Sequence, residues 1–186
     1  MSVRQARSGD ERDLAIVRVT AWQRDYKGII DAEYLASLSV EENAVRWSKI
    51  LEQPAGSRRL LVFNNQASPE QPSGVVGYST FGPYRLATGD DKTMEVGEFA
   101  KPGTIGEIYG FYVHPDHWGS KVANELMIAT ISALVDDEWP TARLWVLKNN
   151  GRARRFYERH GWQADRAEAR LTVGGNPLEV RYQRTL

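Results

Sequence analysis

Three stretches of the sequence predict a mixed α/β fold. Residues 107–113 are mostly β-branched and aromatic with little polar interruption, which is typical of a strand buried on both faces. After Pro115 and Gly119, apolar residues recur at helical spacing over residues 122–134. A second apolar run at 143–148 also precedes a helical pattern, so strand and helix alternate through this part of the chain.

The N-terminal part predicts a strand and three helices. A short strand over Val3–Arg7 is followed by Ser8–Asp10 as turn and cap. The first helix has Leu14, Val17, Ala21 and Trp22 at its apolar positions, with Tyr26 on the face of Trp22. A second helical region contains Tyr34, Leu35 and Leu38, and Ser39 caps a third with Ala44, Val45, Trp47 and Ile50. We interpret Trp22, Tyr26 and Trp47 as core and cover.

The middle and the end of the chain predict further strands. Residues 59–63 and 74–81 are predicted strands joined by an exposed turn at 66–73, and Gly77 indicates a bulge or a close approach. A long polar segment from 82 to 104 is predicted to be a solvated acidic loop, with an active-site rim as the alternative. A closing hairpin is expected, with strands 171–173 and 178–182 around Gly174–Pro177.

Two helix starts carry the chemistry. The loop before residue 122 presents the first amides of a helix, which lack intrahelical partners and attract anions. Asn149 or Asn150 can cap the helix that follows the 143–148 strand, and Gly161 stops it. Ala153, Phe156 and Tyr157 form the inner face of that helix, and its arginines form a solvated outer face.

Composition limits the function classes. The 186 residues, with 41% hydrophobic and 26% charged side chains, suit a single domain spanning 1–186. Net charge is +0, so nothing favours nucleic acid or an anionic membrane as a partner. The absence of cysteine excludes disulfides and thiolate chemistry. No signal sequence or membrane-length apolar run is present in the sequence, and we expect a cytoplasmic protein.

The two helix starts resemble the GCN5-related N-acetyltransferases (GNAT). Residues 118–123, WGSKVA, are similar to the family signature Q/R-x-x-G-x-G/A, although Trp118 and Lys121 depart from it. Residues 150–162 match the second motif, N-x-x-A-x-x-F-Y-x-x-x-G-W/F, without exception. The resemblance covers essentially the whole chain. It implies a central, mostly antiparallel twisted sheet of about seven strands flanked by helices.

The resemblance also implies an activity, namely acetyl-CoA-dependent N-acetyl transfer to an amine by direct attack in a ternary complex. Backbone amides around Gly119–Asn124 would hold the pyrophosphate, Asn150 would contact the pantetheine arm and the Val113 amide would face the thioester carbonyl. Tyr157 would protonate the departing sulfur. The implied acetyl-CoA contacts are Phe111, Tyr112, Val113, Trp118, Gly119, Ser120, Lys121, Val122, Ala123, Asn124, Asn150, Ala153 and Phe156.

Other residues have alternative interpretations. Glu107 is the candidate general base, and pairing with an arginine is the alternative. His114, Asp116 and His117 have metal-ligand side chains, but no further ligand accompanies them, so we expect no metal. The acceptor stays open as a small-molecule or peptide amine, and a homodimer is possible. The competing functions are a catalytically eroded CoA-binding or regulatory module and an interaction protein that uses the aromatic N-terminal helices.

Overall fold

The computed structural model describes residues 2–52, 58–85 and 103–186. Within these ranges, 7 strands form one sheet in the order β1-β2-β3-β4-β5-β7-β6, and only β4 and β5 pair in parallel. The strands are β1 (Ser2–Gln5), β2 (Arg59–Asn64), β3 (Val75–Pro83), β4 (Gly106–Val113), β5 (Thr141–Leu147), β6 (Gln163–Arg170) and β7 (Leu178–Thr185). The predicted α/β class with its mostly antiparallel sheet is confirmed.

Helices cover both faces of this sheet. They are α1 (Glu11–Asp25), α2 (Ala32–Ala36), α3 (Val40–Glu52), α4 (Val122–Asp136) and α5 (Gly151–Arg159), with a 3₁₀ turn at Pro115–His117. On one face, α4 buries Leu126, Met127 and Leu134 against Ile108 of β4. On the other face, α1 and α3 pack Leu14 and Trp47 against Tyr78 and Tyr112 of the central strands.

A β-bulge in β4 decides which side chains point to which face. Thr80 pairs with Gly110 and Phe81 pairs with Ile108, so Tyr109 is an extra residue in β4. A Cβ on Gly106 would meet Leu134 of α4 at 3.0 Å. Since successive side chains alternate, the next residue, Glu107, points to the face of α1.

The N-terminal predictions are confirmed in their elements and adjusted at their ends. Each of the three predicted helices is present, and Ser39 Oγ accepts a hydrogen bond from the Glu42 amide at 3.2 Å as a cap. Asp10 stands at the cap position of α1, but its carboxylate binds the Arg7 amide and the Arg4 guanidinium instead of the helix. Gly77 is a close approach, because a Cβ there would lie 3.2 Å from the Tyr112 carbonyl.

The first strand of the closing hairpin was wrongly placed at 171–173. The strand that pairs with β7 is β6, residues 163–170, in which charged residues are interspersed with alanines. Its alternating pattern carries little hydrophobic signal, because only one side of this edge strand is partly buried. Leu171 and Val173 are apolar for another reason, since they pack near Trp22 and Ile30.

Two further findings concern parts of the chain outside the sheet. Residues 86–102, most of the predicted polar segment, lie outside the described residues, so neither interpretation of that segment is tested. In the described part of the chain, no helix combines the length and apolar character needed to cross a membrane.

Candidate active site

The site begins where the central parallel pair of strands stops. β4 and β5 pair only at Gly106–Ala142, Glu107–Arg143 and Ile108–Leu144, and the remainder of each strand has no partner in the other. The carboxyl ends of the two strands therefore enclose an opening, with α4 starting beyond β4 and α5 beyond β5. Ligands of open α/β sheets bind at such openings.

The end of β4 presents backbone groups to this opening. The His114 amide donates to Val76 O of β3 at 2.8 Å. In an antiparallel pair the next residue along is a non-hydrogen-bonded position, so the Val113 N–H and C=O point away from β3. Phe111 lies on the same strand, and its ring centroid is 5.5 Å from that of Phe156 on α5.

The loop between β4 and α4 has the backbone of an anion site. Gly119 has φ +76°, a conformation that favours glycine, and a Cβ there would meet nothing within 4 Å. Ser120 Oγ accepts from the Val122 amide at 3.3 Å. The amides of Ala123 and Asn124 have no acceptor in the described part of the chain. The start of α4 therefore holds free donors at the positive end of the helix dipole.

The two departures from the family signature have defined places in this loop. Lys121 is the residue before α4 and has φ −70°, so it carries no backbone strain, and its ammonium pairs with Glu125 at 3.0 Å. Trp118 donates its indole N–H to the Val113 carbonyl at 2.8 Å. The Trp118 side chain thus satisfies the Val113 carbonyl at the end of β4, beside the opening.

The start of α5 is tied to the end of α1. Asn150 is the cap, as its Oδ1 accepts from the Ala153 amide at 3.0 Å, and its Nδ2 donates to Asp25 at 2.8 Å. Arg152 pairs with Asp25 at 2.8 Å, and its guanidinium carbon lies 3.5 Å from the centroid of the Trp118 ring. One carboxylate thus joins α1, α5 and, through Arg152, the β4–α4 loop.

Tyr157 projects from α5 and packs between β4 and β7. Its ring is buried, with centroids 6.5 Å from Phe111 and 6.4 Å from Tyr182. Burial and the nearby Tyr112 and Asp25 raise the pKa of Tyr157 above its usual range, so its phenol is protonated at neutral pH. The hydroxyl makes no hydrogen bond within the described residues. It is therefore a proton donor with no acceptor among the residues that the structure describes.

Glu107 is buried and paired, which agrees with the alternative interpretation of its carboxylate. It is 1% exposed. Oε1 accepts from the Arg85 guanidinium at 2.6 Å, and Oε2 accepts from the Arg85 amide at 2.8 Å. The Arg85 Nε–H also lies 3.3 Å from Oε1 and 3.2 Å from Oε2, so each oxygen accepts two contacts from Arg85. A carboxylate has about four lone-pair positions, so a role as base would require Arg85 to give up one of these contacts.

Aromatic side chains from α1, α2 and β4 form a cluster on the face of the sheet that α1 covers. The Trp22 ring centroid lies 5.0 Å from Tyr26, 6.4 Å from Tyr34 and 6.5 Å from Tyr112. Trp22 is buried, whereas Tyr26, Tyr34 and Tyr112 are partly buried and leave surface available. The predicted core role is confirmed for Trp22 and Trp47, which are buried.

Sequence reasoning missed three charged residues near the site, namely Arg18, Asp25 and Arg85. Asp25 and Arg85 act on partners far away in the chain, so no local spacing marks them. Arg18 stands one turn before Trp22, with its guanidinium carbon 4.6 Å from that ring centroid. The i, i+4 spacing of this Arg–Trp pair was the available signal.

The side chains of the His114–His117 turn make local contacts. The Asp116 amide donates to His114 Nδ1 at 3.4 Å, and burial lowers the pKa of His114. No group of three His, Cys, Asp or Glu side chains suited to a metal ion occurs among residues 2–52, 58–85 and 103–186.

Comparisons with known proteins agree with this geometry. The model of the acetyltransferase (GNAT) family matches residues 18–162. YuaI of Bacillus subtilis, an uncharacterised N-acetyltransferase, is 26% identical over 151 residues, which are 81% of this chain and 73% of that protein.

Two solved structures show the same fold. Ribosomal-protein-alanine N-acetyltransferase of Brucella melitensis superposes with a TM-score of 0.70 at 17% identity, covering 100% of both chains. The PaiA N-acetyltransferase of Thermoplasma acidophilum, solved with coenzyme A, gives 0.65 at 17% identity, covering 100% of this chain and 98% of that one. These identities support the fold alone.

Asn150 and its neighbour Asn149 provide a matched test of the α1–α5 link. Asn150→Ala removes the cap and the bond to Asp25, so we expect it to lower the free energy of unfolding by about 1–2 kcal/mol. Asn149 is exposed and makes no side-chain bond in the described part of the chain, so Asn149→Ala should stay within about 0.5 kcal/mol. Urea denaturation measures both, and equal losses would contradict the assigned link.

Proposed function

This chain belongs to the acetyltransferase (GNAT) family and is an acetyl-CoA-dependent N-acetyltransferase, and we propose that it transfers the acetyl group directly to an amine bound beside acetyl-CoA. The observation that carries this mechanism is the Tyr157 hydroxyl. It is protonated, it has no hydrogen-bond partner in the described part of the chain, and it lies next to the opening between β4 and β5.

The chain offers a separate group for each part of acetyl-CoA. The free amides of Ala123 and Asn124 would bind the pyrophosphate at the start of α4. The opening beyond Ile108 and Leu144 would receive the pantetheine arm alongside β4. The complex of the Thermoplasma relative with coenzyme A supports this assignment. A contact from Asn150 to the arm would use the second N–H of its side-chain amide, since the first donates to Asp25.

The reaction forms one bond and breaks one bond. The neutral amine attacks the thioester carbonyl carbon, and the Val113 N–H stabilises the oxyanion that develops on the carbonyl oxygen. As the tetrahedral intermediate collapses, the carbon–sulfur bond breaks and Tyr157 donates its proton to the sulfur. The proton that the attacking nitrogen releases returns to the Tyr157 phenolate through water, which restores the phenol. The products are the acetylated amine and coenzyme A as the free thiol.

An amine acceptor is protonated at neutral pH, so a group on the acceptor side must take its proton. We propose Glu107 for this role, acting through a water molecule. It points to the same face of β4 as Tyr112, and the two contacts from the Arg85 Nε–H, at 3.2 and 3.3 Å, are the longest of its four and would yield to the water. Arg85 holds the carboxylate in place, which preserves its geometry during the reaction.

Calorimetric titration with acetyl-CoA, followed by a thiol-release assay with a panel of amines, tests the function as a whole. Binding together with amine-dependent thiol release supports an enzyme. Binding with no release from any amine would favour a CoA-binding module that has lost catalysis.

Replacing the phenol at position 157 tests the proton donor. Tyr157→Phe should lower kcat by about a hundredfold or more, since general acid catalysis contributes roughly 10²–10⁴. Its Kd for acetyl-CoA should change by less than about threefold, because the ring remains. Tyr182→Phe is the matched control: its hydroxyl bonds Glu158 and Arg154 instead of facing the opening. Equal loss of kcat in both variants would contradict the assignment.

A second substitution separates catalysis from structure at Glu107. Glu107→Gln removes the carboxylate charge that pairs with Arg85, so a loss of about 3 kcal/mol in unfolding free energy accompanies any kinetic effect. As a base, Glu107 is needed for protonated amines far more than for acceptors already neutral at the assay pH. We therefore expect kcat to fall about a hundredfold for alkylamines and much less for a weakly basic hydrazide. An equal fall for both acceptors would indicate a structural role.

The phosphate site is tested by two glycines with the same backbone strain. Gly119→Ala places a side chain at φ +76°, and relief of about 1–2 kcal/mol of strain would reorient the loop amides. We expect Kd for coenzyme A to rise about five- to thirtyfold. Gly9→Ala introduces similar strain at φ +97° in the turn before α1, remote from the site, and should leave Kd unchanged. Identical Kd values in the two variants would place the phosphates elsewhere.

A further inference from the structure

Arg18 is a charged side chain in an aromatic setting, with no acidic partner in the described part of the chain. Its guanidinium carbon stacks 4.6 Å from the centroid of Trp22, and its polar neighbours are the phenols of Tyr78, Tyr112 and Tyr26. Among the described residues it forms no ion pair with a carboxylate. Four other partly buried arginines each have a carboxylate within ion-pair distance: Arg4, Arg59, Arg85 and Arg181.

The Arg18 guanidinium stays positively charged, but no carboxylate in the described part of the chain neutralises it. Burial lowers the pKa of Arg18, and the three phenols raise it by more, so the guanidinium stays charged. Phenols and the Trp22 face stabilise a cation less than a carboxylate does. A guanidinium has five N–H donors and no acceptor, so what it lacks here is an anionic acceptor. Arg18 is only partly buried, which leaves part of it accessible to a ligand.

Arg18 lies on the acceptor side of the reaction centre. α1 packs on the face of β3 and β4 to which Tyr78 and Tyr112 point. The Tyr112 ring centroid is 5.4 Å from Tyr78, and Tyr112 is also close enough to Tyr157 to influence its pKa. Tyr112 and Tyr26 are therefore each near both Arg18 and the proposed proton donor.

We infer that Arg18 binds a carboxylate of the acceptor, so that the substrate is an amino acid or a short peptide with a free carboxylate and an apolar body. The planar guanidinium fork matches a carboxylate bidentately. Partly buried Tyr26, Tyr34 and Tyr112 provide apolar surface beside it. This inference rests on the proposed N-acetyl transfer and specifies its acceptor.

Matched acceptor pairs test the inference. Thiol release is measured for phenylalanine against phenethylamine, lysine against cadaverine, and a dipeptide against its C-terminal amide. In each pair we expect the carboxylate-bearing member to have the higher kcat/KM. A preference among the free amino acids but not the dipeptide would identify the small-molecule source, and the reverse would identify a peptide terminus.

Substitution at position 18 connects any preference to Arg18. In Arg18→Gln, kcat/KM for the carboxylate acceptors should fall about ten- to hundredfold while the decarboxylated amines change little. Arg18→Lys should retain part of the preference and guards against a folding defect. The control is Arg24→Gln, the same change at an exposed position of α1. It should keep the wild-type ratio for every pair.

Three outcomes would overturn the inference. Wild-type protein could acetylate both members of each pair equally, or Arg18→Gln could lower both equally, which would make Arg18 a structural residue. In either case, amine-dependent thiol release would remain and the proposed function would stand. If instead no amine is acetylated although acetyl-CoA binds, the proposed function fails, and the inference fails with it.

Discussion

The early end of the parallel pairing between β4 and β5 is the constraint on which the site depends. After three residue pairs the strands have no partner in one another, and the chain leaves each by a different helix. A sheet edge within a protein must have its backbone groups satisfied or made available to a ligand. Here the Val113 carbonyl accepts the Trp118 indole N–H, and the Val113 N–H points away from β3, where we propose that it meets the thioester carbonyl. The opening therefore results from the strand topology, and it presents backbone N–H groups in fixed directions.

Asp25 gives this opening a second side. It receives Asn150 and Arg152 from α5 while standing at the last position of α1. The helix that contributes the acceptor-side aromatics is thereby fixed to the helix that contributes Tyr157. Acceptor and donor surfaces are thus held in one geometry, which is the condition for direct attack of an amine on a bound thioester.

The sequence predicted what depends on local periodicity and failed where distant contacts decide. The apolar spacing of residues 122–134 identified α4, and Asn150 with Gly161 bounded α5. The polar alternation of β6 concealed an edge strand, because little of it is buried. The Arg85–Glu107 pair joins residues separated by a segment of the chain that carries no pattern linking them, so only the fold reveals it.

The departures from the family signature show which part of a phosphate loop depends on side chains. Lys121 has a helical φ, so the position does not require glycine. Its ammonium forms an ion pair with Glu125 of α4. Trp118 places a ring against Arg152 and an N–H on the Val113 carbonyl, which anchors the loop to both strand and helix. The donors themselves are backbone groups at the start of α4. Because their direction is set by Gly119 and by the helix axis, the side chains around them can change while the anion site is kept.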